Sequence, residues 1–134
     1  MRVSQDGKFL IDVIHKTIYI YNLMTRSLVR RLKHHQEITA FTLIRDSLAF
    51  GDSQGKIRTV YHLFRFDPHV SLKDNEMVPE SKVNHWHSQP VRALNFSEDG
   101  NFLISGGKEG VLVLWHQSGN KHDFIPRLGA TIVF

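Results

Sequence analysis

His85 and His87 stand two residues apart, so any strand that carries them projects both to one side, and His34-His35 supplies a second pair. Such imidazoles can begin a zinc site, but no carboxylate or Cys cluster completes a coordination shell, and no metal is expected. Trp86 and Trp115 are flat enough to stack on a nucleobase, although one large aromatic per structural unit more often fills the core. Ser105-Gly106-Gly107-Lys108 has the glycine content of a phosphate loop. It lies between two strand-like runs, with no helix behind it whose N-terminus could hold an anion, and reads as a turn. There is no Gly-x-Ser-x-Gly elbow, no phosphate loop ending in Gly-Lys-Ser/Thr and no His-Glu-x-x-His. No catalytic residue, cofactor or small-molecule substrate is expected. Arg26, Arg30, Arg31 and Lys33, beside His34 and His35, make the densest group of cations and are candidates for contact with RNA phosphates or an acidic partner. Arg30 and Arg31 are adjacent, so on a strand they face opposite ways, and the alternative is a charged edge that deters strand-to-strand aggregation.

The chain that must position these groups has 134 residues, 41% hydrophobic and 22% charged, which is the composition of one globular domain. Its formal charge of +4 and nine histidines permit an acidic partner without requiring one. The absence of Cys excludes disulfides, thiolate metal sites and cysteine nucleophiles, so stability must come from a buried core. No apolar run reaches the roughly 18 residues of a membrane helix, and no membrane partner is expected.

The strongest organising feature is an internal repeat. Ser4-Gln5-Asp6-Gly7-Lys8-Phe9-Leu10-Ile11 returns 93 residues later as Ser97-Glu98-Asp99-Gly100-Asn101-Phe102-Leu103-Ile104, with six of eight residues identical. In each copy an Asp-Gly pair suited to a tight hairpin turn precedes an apolar run of strand type. The offset fits two units of about 40 to 45 residues plus an insertion. A middle unit is visible as Ile38 to Ile44, Arg45-Asp46, Ser47 to Phe50, then Gly51-Asp52-Ser53-Gln54-Gly55 and a further strand. Strands are expected at about Lys8–Ile14, Thr17–Leu23, Ser27–Lys33, Ile38–Ile44, Ser47–Gly51, Lys56–Leu63, Lys82–His87, Val91–Ser97, Phe102–Ser105, Val111–His116 and Asp123–Arg127, and no helix. Arg65 to Ser81, broken by Asp67-Pro68, Lys73-Asp74-Asn75-Glu76 and Pro79, reads as a long surface loop.

Four strands per unit of about 40 residues are the sign of an all-β propeller, each unit one blade. The third unit also resembles a WD repeat, through His87, Ser105-Gly106-Gly107, Glu109-Gly110 and Trp115-His116. The resemblance implies a hydrogen-bonded tetrad of His87, Ser105, Glu109 and Trp115, with Glu109 replacing the family's Asp. The other units depart from the pattern: Tyr21-Asn22 and Val60-Tyr61 stand in place of Trp-Asp and Phe50 in place of the tetrad Ser. Those units are expected to rely on apolar packing instead. The blades are placed at 1–35 (three strands), 36–87 with a loop insertion at 65–81, and 88–127, with 128–134 as the first strand of a following blade. Three blades leave two raw faces, so the sequence is expected to be about three blades of a larger propeller, not folding alone.

Within the family, His85-Trp86-His87, Leu103 through Glu109, Val111-Leu112-Val113 with Trp115, Ala49 through Arg58, and Phe124-Ile125-Pro126-Arg127-Leu128-Gly129-Ala130-Thr131-Ile132 are similar to a scaffold of the t-UTP (UTP-A) subcomplex of the small-subunit processome. That resemblance implies a non-enzymatic, nucleolar protein in ribosome biogenesis. Its expected partners are other t-UTP and processome proteins, with pre-rRNA as a further candidate, and its role would link pre-rRNA transcription and processing. The alternatives are a generic WD-repeat adaptor between proteins, of ligase-receptor or coat type, and a direct RNA-binding module.

Overall fold

The computed structural model describes residues 1–64, 76–79, 82–119 and 121–125. Most of the loop expected over 65–81 and the strand expected over 128–134 lie outside the described residues.

Among the described residues, twelve strands form three four-stranded antiparallel sheets and no helix occurs. The first sheet holds β1 (Arg2–Val3), β2 (Phe9–Ile14), β3 (Thr17–Asn22) and β4 (Ser27–Lys33) in chain order. The second holds β5 (Ile38–Ile44), β6 (Ser47–Asp52), β7 (Lys56–Val60) and β8 (Lys82–His85), and the third β9 (Val91–Phe96), β10 (Phe102–Gly107), β11 (Leu112–His116) and β12 (His122–Ile125). These are three blades of a β-propeller. Blade one has a strand that the sequence pattern did not signal: β1 is two residues long, too short for any alternation to register, and pairs Arg2 with Ile11 and Val3 with Leu10. The strand expected to run to Leu63 ends at Val60. The chain turns out of the sheet at His62 (φ 56°), and buried Leu63 bonds back through its N–H to the Asp46 carbonyl.

Strand alternation explains the core, because neighbouring side chains on β6 go to opposite faces. Leu48 and Phe50 join Ile11, Ile18, Ile20, Leu32, Ile38, Val60 and Leu63 in the core between blades one and two. Ala49, with Ile57 of β7, joins Val91, Leu94, Leu103, Val113 and Trp115 between blades two and three. Blade two is thus apolar on both faces, and this is what the run Leu48-Ala49-Phe50-Gly51 encodes. Glycine sets the closeness of the second interface: a Cβ on Gly51 would lie 2.5 Å from Val91 Cβ. Gly55, at φ 82°, sits against the His87 carbonyl, and a side chain there would overlap it.

The repeated octapeptide closes the same turn in blades one and three, though not through two residues of positive φ. Only Gly7 (φ 75°) and Gly100 (φ 78°) take that conformation. The Asp acts through its side chain. Asp6 Oδ1 accepts from Ser4 Oγ (2.6 Å) and Lys8 N (3.0 Å), as Asp99 Oδ1 does from Ser97 Oγ (2.7 Å) and Asn101 N (3.0 Å). In each copy the Ser Oγ also accepts from the Phe amide at the start of the next strand, at 3.0 Å. These bonds hold the carboxyls of Asp6 and Asp99 below the usual carboxylate range, the seryl hydroxyl contributing most.

Candidate functional site: the histidine junctions between blades

The segments that join one blade to the next, 34–37 and 86–90, lie over the turns between the second and third strands of adjacent blades. His34 N donates to Lys16 O (2.8 Å), Ile38 N to His15 O (2.8 Å) and Ser53 N to Glu37 O (2.9 Å). At the second junction a polar cluster does the joining. His87 is fully buried. Its Nε2 lies 2.8 Å from Ser105 Oγ and its Nδ1 3.3 Å from Glu109 Oε1. Trp115 Nε1–H donates to the same Ser105 Oγ (2.9 Å), while Glu109 Oε2 accepts from the amides of Ser88 (2.9 Å) and Gln89 (3.1 Å).

Donor counting fixes the proton positions. A carboxylate can only accept, so His87 carries its proton on Nδ1; neutral Nε2 then accepts from the Ser105 hydroxyl, whose oxygen accepts from Trp115. Every polar atom has a complementary partner, and three segments, the junction, β10 and β11, are tied at one point. Burial pushes the His87 pKa down, against the pull of Glu109, and keeps the ring neutral. Burial also opposes the Glu109 charge, but its own backbone N–H, the Gln89 amide and His87 outweigh it, and its carboxyl lies low. The longer carboxylate at position 109 therefore spans both His87 and the junction backbone.

Blade two departs from the expectation of apolar packing alone. Buried His34 places Nε2 3.0 Å from Asp52 Oδ2, and Asp52 Oδ1 accepts from the amides of Gln54 (2.9 Å) and Lys56 (3.1 Å). Burial raises the Asp52 pKa, while the bonds from His34, Lys56 and Gln54 lower it by more, so the carboxyl stays charged. When Ser47–Gly55 is aligned on Phe102–Gly110, Asp52 takes the place of Gly107, and Gln54 takes the place of Glu109. The carboxylate has moved two residues back, onto the strand end. Bulk moves as well: by register Phe50 and Val60 replace Ser105 and Trp115, so the aromatic ring passes from the third strand to the second. Phe50 meets the His34 ring edge-on at 5.0 Å and 74°. The available signal was an acidic residue at a strand end, one turn from a junction His.

His85 is exposed, on the opposite side of β8 from buried Asn84, and His35 is exposed beside His34. Among the described residues no group of three or more His, Asp or Glu is placed to hold a metal. Trp115 is core, and Trp86 is at the surface.

The four cations of blade one do not form a single patch, and Arg30 and Arg31 face opposite ways as adjacent strand residues do. Arg26 occupies an exposed turn (φ 55°) at one end of β4 and Lys33 the other end, about 23 Å away at strand rise. Arg30 spends its guanidinium on Glu76, with Nε and Nη2 at 3.2 and 3.0 Å from the two carboxylate oxygens, and on the Leu63 carbonyl at 3.2 Å. Its side chain is 16% exposed, so a phosphate would have to displace Glu76. Arg31 pairs with Tyr19 in register and faces the other side of the sheet. Lys33 pairs through its backbone with the returning segment: Lys33 N donates to Glu76 O and Val78 N to Lys33 O, both at 2.9 Å, in a parallel bridge to Met77. The exposed edge of β4 is thereby partly covered by chain that leaves blade two and returns to it.

The profile of the first β-propeller of WD repeat-containing protein 75 matches residues 40–134, most of the chain. The chain belongs to that family. The His87, Ser105, Glu109 and Trp115 cluster lies inside the matched region. Similar proteins include the U3 small nucleolar RNA-associated protein 17 of Schizosaccharomyces pombe, 30% identical over 127 residues, which takes in 88% of this chain and 14% of that protein. WD repeat-containing protein 75 of Homo sapiens is 35% identical over 118 residues, 87% of this chain and 13% of that protein. The chain thus spans about one seventh of the length of these relatives. A chain in the crystal structure of the mitotic checkpoint complex superposes with a TM-score of 0.77 at 22% identity, over 97% of this chain and 37% of that one, a likeness of fold.

Proposed function

We propose that this propeller segment belongs to a non-enzymatic scaffold of the small-subunit processome, acting in the nucleolus to support pre-rRNA transcription and processing. Its partners in this reading are other t-UTP and processome proteins, with pre-rRNA as a further partner. The blades would fall at 1–35, 36–87 and 88–127, with 128–134 beginning the next. The observation that carries the proposal is the family match over residues 40–134, together with a relative whose name associates it with the U3 small nucleolar RNA. The polar groups of the two junctions, His87, Ser105 and Glu109 with His34 and Asp52, support a non-catalytic role, because each is consumed in bonds that hold the junctions to the blades. His87 has both nitrogens engaged and Glu109 both oxygens, which leaves neither as a free acid or base.

The test is affinity purification of the tagged full-length protein from nuclear extract, with mass spectrometry and RNA sequencing before and after RNase. Early processome proteins and the 5′ part of pre-rRNA are expected together. Proteins that stay after RNase are direct partners. Recovery of a cytoplasmic ligase or coat without pre-rRNA would leave the propeller standing and remove this function.

A further inference from the structure

Trp86 and Phe124 are large, apolar and surface-exposed, at 36% and 43%, and their ring centroids are 5.1 Å apart. They meet across the groove between the outer strands of blades two and three. Phe124 pairs in register with Val113, whose side chain lies in the core shared with blade two, so Phe124 faces blade two. A further blade beyond blade three would pack on the other side of that sheet and leave this exposure unchanged. His122, also exposed, adds a third ring 5.0 Å from Phe124. The rings meet at 54° and 83°, tilted or edge-on rather than stacked, with the buried rings of His87 and Trp115 beneath Trp86 and His122 at 5.1 and 5.0 Å, and the three outer rings keep their exposed sides to solvent.

The charges around Trp86 are unbalanced. Lys56, whose cross-strand partner is His85, stands at the end of blade two from which Trp86 emerges, and Lys108 lies in the turn that brings Glu109 to His87; both lysines and the imidazole of His85 are exposed. Of the carboxylates on these segments, Glu109 is committed to His87 and two amides and Asp52 to His34 and two amides; exposed Asp123 bonds His116 Nε2 at 3.0 Å on the opposite face of β12 from His122 and Phe124, and exposed Glu37 lies at the other junction, beside His15. Exposed aromatic rings beside exposed lysines match a ligand that carries a flat π face and a negative charge in each unit. A nucleotide of a single strand is such a ligand, whereas a peptide must supply the two from separate residues.

We infer that Trp86, His122 and Phe124 form a stacking platform for an unpaired base of single-stranded RNA, with Lys56, His85 and Lys108 meeting its phosphates. The inference rests on the ribosome-assembly reading only for RNA being at hand. A binding assay with purified components does not depend on that reading, so the two can fail separately.

The experiment is fluorescence anisotropy of a labelled single-stranded uridine decamer with the purified full-length protein, at 50 and 200 mM salt. A Trp86→Leu/Phe124→Leu double variant keeps apolar bulk but loses the ring faces, and Trp86→Phe keeps a face. The double variant is expected to bind on the order of 10-fold more weakly, Trp86→Phe to bind within about two-fold of the parent, and Lys56→Glu/Lys108→Glu to weaken binding and flatten its salt dependence. Thermal melts of each variant show whether the protein remains folded. Affinity of a folded double variant within two-fold of the parent would overturn the platform. Unchanged RNA affinity with loss of a protein from the purification above would make the surface a protein-docking site and overturn it as well.

Discussion

Glu109 is one carboxylate serving two tasks, accepting from a buried imidazole with one oxygen and from two junction amides with the other. Glu109→Gln keeps the shape but turns an NH₂ toward one set of donors, so either the buried His87 N–H or the two junction amides lose their acceptor. A loss of about 1 to 3 kcal/mol is expected in urea unfolding at pH 7. The pH dependence follows from the directions of the two pKa shifts. His87 lies below its unfolded value of 6.5, so its contribution is whole above about pH 6.5 and drains away as the pH falls toward its folded pKa, where the unfolded chain binds the extra proton. Glu109 lies below its unfolded value of 4.5, so its contribution is present above that pH and lost as the pH falls through the folded pKa. Both make acid destabilising. The gap between parent and Glu109→Gln should therefore narrow when unfolding is repeated well below pH 4.5, and a gap that stays constant would refute the charged role.

Between elements, contact is governed by two glycines and one ion pair. Gly51→Ala places a methyl against Val91, and Gly55→Ala places one on a carbonyl oxygen at positive φ. Each should destabilise by about 2 to 4 kcal/mol. The two differ in rescue: Val91→Gly removes the atoms that the methyl of Gly51→Ala would meet and should recover part of the loss, but it leaves the Gly55→Ala clash with the backbone unchanged. A double-mutant cycle in urea distinguishes them. On the outer edge of blade one, Arg30 and Glu76 are partly buried at 16% and 27% exposure and bonded through two nitrogens. Glu76→Ala should cost about 1 to 3 kcal/mol. It should also loosen the bridge at Met77, read as faster hydrogen exchange at the amides of Lys33 and Val78, with that of Trp115 unaffected. Equal acceleration at all three would mean a global effect.

At the scale of the whole molecule, the three blades are a stack in which each blade needs its neighbours. Blade two has a core on both faces, while Ile104, Leu112 and Leu114 of blade three, turned away from blade two, are only half-buried. Repeat architectures gain stability from such interfaces as a sum over neighbours. The 134 residues expressed alone should therefore melt over a broad range with poorly dispersed amide NMR signals, and a sharp cooperative melt would refute this. The relatives, which are about seven times longer, have chain enough to cover both outer faces.

The β class and the three units were legible in the sequence because they depend on local pattern, alternation and the repeated Ser-x-Asp-Gly turn, whereas the His87, Ser105, Glu109 and Trp115 cluster was expected from the resemblance to a WD repeat. Pairing His34 with Asp52 was not legible, since the carboxylate had shifted by two residues and only the folded strand end brings it to the imidazole. Which cations of the basic cluster are engaged within the fold was not legible for a related reason. Proximity along a strand says nothing about which cation meets a carboxylate 46 residues away, and that distant contact decided the fate of Arg30. Sequence alone determined what each strand could bury. The tertiary structure decided which charges remain uncommitted, because a salt bridge depends on separations in space that the chain sets only when the blades have packed.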